Sequence, residues 1–493
     1  MGETATQLGV LDLPAGWEAV IGLEVHVQLR TRTKMFSAAP NSFGEDPNTR
    51  TNEVDIGLPG VLPVVNRQAI ELGVRAALAL GCEVHPVSVF ARKHYFYPDL
   101  PKGYQISQYE EPFATGGAVP IAHDGQSRSV PLTRIHFEED AAKSIHDDAI
   151  TGPGVTHVNL NRAGVPLIEI VSDPAMSTPA EAATYLRSLH SVIRYLEVSD
   201  ADMEKGHFRC DANVSVRRSG DERLGTRVEI KNLNSFRHVE RALAHEIERQ
   251  VELIGDGGEV TQETRLWDDR TASTRPMRSK EYADDYRYFP DPDLVALRME
   301  PGTVESIRKG LPELPQPRRE RFEKEYGLPS TDAAVLTDER DIADFFEETA
   351  RLHGNAKTVS NWVRRDVLGV LKELGVELGE ARLTPGMLAG LLELVEGGRV
   401  TPGSGREVLR ELVASGGTPL EVVKTRGLEA VSDIAELESI AREVIEANPK
   451  QRDGYRAGQE KLLNFFVGQL MKRTSGKANP TVVREILTRL LAG

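Results

Sequence analysis

The chain has 493 residues, of which 40% are hydrophobic and 27% charged, with a formal charge of −15 and two cysteines. Such a length predicts two to four domains with a sizeable core. No apolar run approaches the roughly 18 residues of a membrane span and Met1 to Ala19 lacks a basic start followed by an apolar stretch, so a cytoplasmic protein without a membrane partner is expected. Cys82 and Cys210 are too few for a disulfide framework or a four-cysteine zinc site.

In chain order, the first strand lies in IGLEVHVQLR, which alternates strictly: Ile21, Leu23, Val25, Val27 and Leu29 fall on one face, and Gly22, Glu24, His26, Gln28 and Arg30 on the other. Thr178-Pro179-Ala180-Glu181 is a helix start, with Thr at the N-cap, Pro at the first helical position and Glu three residues on, followed by Tyr185, Leu186, Leu189, Ile193 and Leu196 at helical spacing. FRCDANVSV alternates again, with Phe208, Cys210, Ala212, Val214 and Val216 on one face and Arg209, Asp211, Asn213 and Ser215 on the other. A second long helix runs from Ser235 to Ile254 and stops in the Gly255, Gly257, Gly258 cluster. After about Leu294 the pattern is helical, with a proline-rich connector from Leu311 to Pro317 and helix starts at Thr384-Pro385 and Thr401-Pro402. From Lys450 to Gly493 nine basic residues face three acidic ones, a cationic tail on an acidic chain.

Three segments between Glu138 and Asn213, FEEDAAK, NLNRAGVPLIEI and DMEKGHFRCDANVSV, set acids among apolar residues. A desolvated carboxylate is costly unless it is paired or bound to a cation, so these point to a divalent metal and phosphate chemistry. Oxygen-rich ligands suit Mg²⁺, and the imidazole of His26 adds tolerance of Mn²⁺. Glu138 and Glu139 are adjacent, so only one can face a given site, and the pattern leaves the choice open. Arg92, Lys93, Lys143, Arg209 and Lys231 are the basic candidates beside these motifs. No phosphate loop, dinucleotide fingerprint, G-x-S-x-G nucleophile or Cys/His hydrolase pattern occurs, so any ammonia used must come from elsewhere.

The succession IGLEVHVQLRTRTKMFS (21 to 37), GLPGVLPVVN (57 to 66), RKHYFYPDLPKGYQISQY (92 to 109), FEEDAAKSIH (137 to 146), NLNRAGVPLIEIVSDP (159 to 174), MEKGHFRCDANVSV (203 to 216), EIKNLNSFRHV (229 to 239), QETRLWD (262 to 268) and DDYRYFPDPDL (284 to 294), with FFVGQLMKRTSGKANP (465 to 480), resembles the B subunits of aspartyl/glutamyl-tRNA amidotransferases, the GatB family. The resemblance implies an α+β fold: a cradle with an antiparallel, glutamine synthetase-like sheet (1–300), an all-α helical domain (301–396) and a small helical YqeY-like tail that touches tRNA (397–493). It implies ATP-dependent amidation of glutamate or aspartate misattached to tRNA, through an acyl phosphate. The implied partners in a heterotrimer are a glutaminase, the GatA-type chain that supplies ammonia, and a small GatC-type chain.

By the same resemblance ATP and Mg²⁺ are the cofactors and His26, Glu139 and Glu169 the metal ligands. Glu24, Lys93, Asp202, Glu204, Arg209, Asp211 and Lys231 match other acidic or basic positions of the family's kinase pocket; Glu24, Lys93, Asp202, Glu204 and Asp211 are read as catalytic, and Arg209 and Lys231, with Arg92, Lys143 and Asn213 beside the motifs, as nucleotide-binding. Two departures stand out. Some members carry Cys-x-x-Cys before GLPG, where this chain reads Asn52-Glu53-Val54-Asp55, so no zinc is expected; and Ala142 stands where the motif has Gly. Two rival readings are a free-standing ligase for small carboxylates, which leaves the tail idle, and a tRNA-binding scaffold without chemistry, which leaves the buried acids unexplained.

Overall fold

A computed structural model of the chain describes residues 15–123, 126–146, 151–279, 286–430, 434–474, 476 and 478–492. The expectations for residues 1–14, for Asp284 and Asp285 and for Lys477 lie outside the described residues. Two compact units result, one up to Leu314 and one from Pro315 onward.

The first unit contains, in order, β1 (Trp17–Gln28), α1 (Arg67–Ala79), β2 (Glu83–Val84), β3 (Val87–Ser88), β4 (Ala91–His94), β5 (Tyr104–Ser107), β6 (Ala114–Thr115), β7 (Ala118–His123), β8 (Gln126–Glu139), β9 (Lys143–Ile145), β10 (His157–Asn159), β11 (Pro166–Ser172), α2 (Pro179–Tyr195), β12 (Phe208–Arg218), β13 (Val228–Leu233), α3 (Phe236–Gly255), β14 (Glu263–Asp268), β15 (Ser273–Ser279) and β16 (Phe289–Pro290). One large sheet runs β15-β14-β13-β12-β1-β11-β8-β6-β2, with β7 also on β8. The expected antiparallel sheet is in fact mixed, because β13 and β14 run parallel. The cause is α3, which carries the chain back along the sheet before β14, the crossover that a parallel pairing requires.

The alternation in β1 fixes which face is buried. Ile21, Leu23, Val25 and Val27 share one core with Val74 of α1, Leu186 and Leu189 of α2 and Leu243 and Ile247 of α3. Gly73 lets α1 lie directly on β8, since a Cβ there would come within 2.2 Å of the Phe137 ring. Thr178 caps α2 by accepting from the Glu181 amide, while the Glu181 carboxylate accepts from Ser177 N, so each end of the capping pair satisfies a free amide. Ser235 caps α3 in the same way through His238 N. Because one face of β1 is spent on the core, Gly22, Glu24 and His26 project from the other.

Among the described residues, every named element of the second unit is a helix. Phe322, Tyr326 and Phe346 pack edge to face or tilted near its start. Toward its end Leu437, Ala441, Val444, Phe466, Leu470, Val483 and Leu487 form a separate apolar cluster, so the cationic tail is a small packed body.

Candidate metal centre

Strand register assembles the site. In β1, His26 lies opposite Glu169 of β11 on one side and Arg209 of β12 on the other, and Glu169 in turn lies opposite His136 of β8. Side chains from four adjacent strands therefore converge above the polar face. His26 Nε2 is 3.3 Å from Glu138 Oε1 and 3.4 Å from Glu169 Oε2, and His136 Nε2 is 3.2 Å from Glu169 Oε2.

One donor atom each from His26, Glu138 and Glu169 falls within 4.8 Å of the others. Neighbouring ligands of a cation bound at about 2.1 Å stand about 3 Å apart in an octahedral arrangement, and the two separations from His26 to the carboxylates are close to that. Two carboxylates and one imidazole suit Mg²⁺ or Mn²⁺. Electrostatics agree with the geometry. Burial alone would lower the His26 imidazole, but Glu169 and Glu138 outweigh it and push it up to about 9. Burial pushes Glu138 up, with Glu169 adding to the effect, while His136 and His26 overcome burial to hold Glu169 well below the usual carboxylate range. With the three ligands so close, the cluster needs positive charge.

The structure sets one expected ligand apart. Glu139 was expected beside His26 and Glu169, but it shares a strand phase with Ile135 and Phe137, which face the core. Its carboxylate accepts from Lys102 Nζ and from Ile106 N, and Gln105 Nε2 donates to its carbonyl. The acid that faces His26 is Glu138, and His136 two residues earlier joins it. Both were missed, although the apolar residues Ile135 and Phe137 already mark the opposite phase.

A second group lies along the same face. Glu24 stands opposite Asp211, and Asn213 Nδ2 donates to Glu24 Oε1 at 2.9 Å. Lys231 Nζ is 2.5 Å from Asp211 Oδ2 and 3.4 Å from Glu229 Oε1. Burial, then Glu169, Glu229 and Asp211, push the Glu24 carboxyl up, whereas Lys231 is raised against burial by Asp211 and Glu229. Glu24, Asp211, Asn213 and Lys231 are thus brought together.

The remaining candidates scatter in role. Lys93, on β4, sits 4.8 Å from the Tyr286 ring centroid, and Tyr288, Glu138 and Glu169 raise its ammonium against burial. Arg209 donates to Asp140 Oδ2 at 2.8 Å and lies beside His26. Arg92, by contrast, spends its guanidinium on Asp291 and Asp293 and stacks on Tyr104. Asp202 is tied into its own turn, accepting from Lys205 N and pairing with Lys205 Nζ at 3.0 Å, and Glu204 is exposed on that turn. Lys143 is exposed on β9.

The two sequence departures also have a place. Asp55 is buried and pairs with Lys34 Nζ at 3.1 Å while accepting from Ser37 Oγ at 2.8 Å, so a fully buried ion pair occupies the segment before Gly57. Ala142 is buried with its amide donating to Asp99 O, outside the positive-φ region, and its methyl is therefore unstrained.

Comparison with known proteins places these features in a family. Residues 19–305 match the model of the GatB/GatE catalytic domain, and residues 344–491 match that of the GatB domain. The chain is 52% identical over 479 residues to the B subunit of the aspartyl/glutamyl-tRNA(Asn/Gln) amidotransferase of Halorhodospira halophila, covering 97% of this chain and 99% of that protein. The proteins of the same name from Alkalilimnicola ehrlichii and Thermodesulfovibrio yellowstonii are 50% and 48% identical, each over 96% of this chain and 99% of their own length.

Proposed function

The chain belongs to the GatB family of tRNA-dependent amidotransferase subunits, and we propose that its first unit uses ATP to activate the side-chain carboxylate of a misacylated tRNA, Glu-tRNA(Gln) or Asp-tRNA(Asn), for amidation. The observation that carries this is the convergence of His26, Glu138 and Glu169 within 4.8 Å above a polar sheet face. A carboxylate does not accept ammonia directly, because oxide is a poor leaving group. Transfer of the γ-phosphoryl group of ATP to a carboxylate oxygen gives an acyl phosphate and ADP. Ammonia then adds to the carbonyl, the carbon to oxygen bond breaks, phosphate departs and the amide remains.

His26, Glu138 and Glu169 would hold a divalent cation, which when bound neutralises charge on the phosphoryl oxygens. Lys93, kept charged by Glu138 and Glu169, and Arg209, held in place by Asp140, flank that position and supply further positive charge where the transition state is most anionic. Glu24, Asp211 and Lys231 form a second polar group along the strand, suited to orienting the nucleotide or the ammonia. With no activated nucleophile legible in this chain, ammonia comes from a glutaminase partner of the GatA type, and a small GatC-type chain completes a cytoplasmic heterotrimer. No described helix is long and apolar enough to cross a membrane. The first unit serves as a glutamine synthetase-like cradle, and the cationic helical end is the YqeY-like contact for tRNA.

The test is reconstitution with the two partner chains and each mischarged tRNA. His26→Ala and Glu138→Gln are expected to abolish tRNA-dependent ATP cleavage and amidation while the partner still hydrolyses glutamine. Undiminished ATP cleavage in both variants overturns the assignment, and amidation of free glutamate without tRNA would favour the free-standing ligase instead.

A further inference from the structure

Glu169 stands between two imidazoles. It lies on β11, with His26 opposite it on β1 and His136 opposite it on β8, so the rings approach from opposite flanks across two strand spacings, about 9.6 Å of backbone. Both reach the same atom: Glu169 Oε2 is 3.4 Å from His26 Nε2 and 3.2 Å from His136 Nε2, within hydrogen-bonding reach. The two rings are not equivalent. His26, with Glu138 and Glu169, makes up the group whose donor atoms converge within 4.8 Å. His136 faces the other oxygen of Glu138, with Nε2 4.0 Å from Oε2, beyond hydrogen-bond length, whereas His26 meets Oε1.

Burial points to the working nitrogen of His136. The residue is 3% exposed, and among the described residues its Nδ1 is buried without a hydrogen-bond partner. An apolar side chain would avoid that desolvated nitrogen, so the reason for an imidazole here lies at Nε2. A carboxylate oxygen has two lone-pair sites, and Glu169 Oε2 can give one to a cation beside His26 while the other accepts from an N–H. We propose that His136 is a positioning residue for the metal centre: its Nε2–H donates to Glu169 Oε2 and aims that carboxylate at the cation, while the ring stays out of the ligand set. The proposal rests on the cation reading above and adds the side chain that orients one of its ligands. Keeping a second imidazole out also bears on which metal is held, because imidazole suits zinc, copper and nickel, whereas carboxylates suit magnesium and manganese.

Mn²⁺ binding to the full chain, followed by electron paramagnetic resonance, tests this without turnover. In the wild type the bound ion is expected to show coupling to a single imidazole nitrogen, that of His26. His136→Leu removes the donor and is expected to weaken Mn²⁺ about ten- to a hundredfold, as loss of a ligand's own hydrogen-bond partner does, whereas His136→Gln, whose side-chain amide reaches the same point as the ring Nε2, is expected to lose less than about threefold. The nitrogen coupling should be unchanged in His136→Gln and absent in His26→Ala. Two coupled imidazole nitrogens in the wild type, one of them lost in His136→Gln, would make His136 a ligand and overturn the positioning role. Equal Mn²⁺ affinity of the wild type and a folded His136→Leu chain overturns it too, as does a folded His136→Gln chain no tighter than His136→Leu. A wild-type chain that binds no Mn²⁺ refutes the cation reading itself and the proposal with it. Should His136→Leu fail to fold, the affinity of His136→Gln and the nitrogen count decide.

Discussion

Glu138 and Glu139 are neighbours in sequence and opposites in space: Glu138 Oε1 lies 3.3 Å from His26 Nε2, whereas the Glu139 carboxylate accepts from Lys102 and from Ile106 N on the core side of β8. Their conservative substitutions should therefore separate. Glu138→Gln is expected to weaken Mn²⁺ binding by roughly a hundredfold or more, as loss of a charged ligand does, with modest change in stability. Glu139→Gln is expected to keep one Mn²⁺ site per chain and to lower unfolding free energy by about 3 kcal/mol, because it leaves the Lys102 ammonium buried without its partner. Metal titration and urea unfolding of both chains check this; equal loss of metal in the two variants would reject the register-based assignment.

How far the site was legible follows from the same strand. The alternation in β1 and β12 identified the polar face with Glu24, His26, Asp211 and Asn213 on it, because a sheet with one buried face writes that face as every second residue. It also contained the answer for β8, since Ile135 and Phe137 are apolar and Glu139 shares their phase. What no local pattern carried was the pairing of distant strands: that Glu169 stands opposite both His26 and His136 is set by register across β1, β11 and β8. The parallel β13 and β14 pair was hidden for the same reason. Arg92 stood beside the right motif but is neutralised by Asp291 and Asp293, some 200 positions away, which single-sequence spacing cannot reveal.

Lys34 and Asp55 form a buried pair with almost no exposure on either side chain. Removing one partner strands the other charge, so Asp55→Ala should cost about 3 to 5 kcal/mol, whereas an apolar replacement of both, Lys34→Met with Asp55→Leu, should recover much of that loss. Chemical denaturation of the single and double variants measures the difference. A double variant no more stable than the single would show that Asp55 acts mainly through its bonds to Ser37 and Asn52 N.

Lys231 lies between Asp211 and the buried Glu229, with Glu24 nearby, and the Lys231 and Asp211 side chains remain partly open to solvent. A double-mutant cycle between Lys231→Met and Asp211→Asn should return a coupling of about 1 kcal/mol in stability, the scale for a screened but fixed pair. Catalysis should respond more: ATP cleavage is expected to fall by roughly a hundredfold or more in Lys231→Met, since Asp211, Glu229 and Glu24 then lose the ammonium that lies among them. Retention of full ATP cleavage would confine Lys231 to a packing role.

Burial pushes the Cys82 thiol up to about 12, and burial followed by Asp211 and Glu24 raises Cys210 well above its ordinary value. The sign is unambiguous: a raised thiol pKa means less thiolate at any given pH. At pH 8 the thiolate fraction of Cys82 is about one in ten thousand, and both sulfurs are buried. Neither cysteine should react measurably with a disulfide reagent in the native chain over minutes, and both should react at once in guanidinium chloride. Rapid labelling of the native protein at Cys210 would contradict the packing of β12, and at Cys82 that of the turn after α1.

The cationic tail makes its own demand on experiment. Cutting the chain at Lys450 would remove Phe466, Leu470, Val483 and Leu487 from the cluster that also holds Leu437, Ala441 and Val444, so a lost tRNA contact could not be told from a lost fold. Charge can be removed without touching that core, because Lys450, Lys461 and Lys472 are exposed. The triple Lys→Gln chain should melt within a few degrees of the wild type. If all three side chains meet the phosphate backbone, the slope of log affinity for tRNA against log salt should become shallower by about 2 to 3, at roughly 0.7 to 0.9 per phosphate contact. A slope unchanged within error, with the fold intact, would exclude these three lysines as the docking contacts and shift the search to the exposed arginines of the preceding helices.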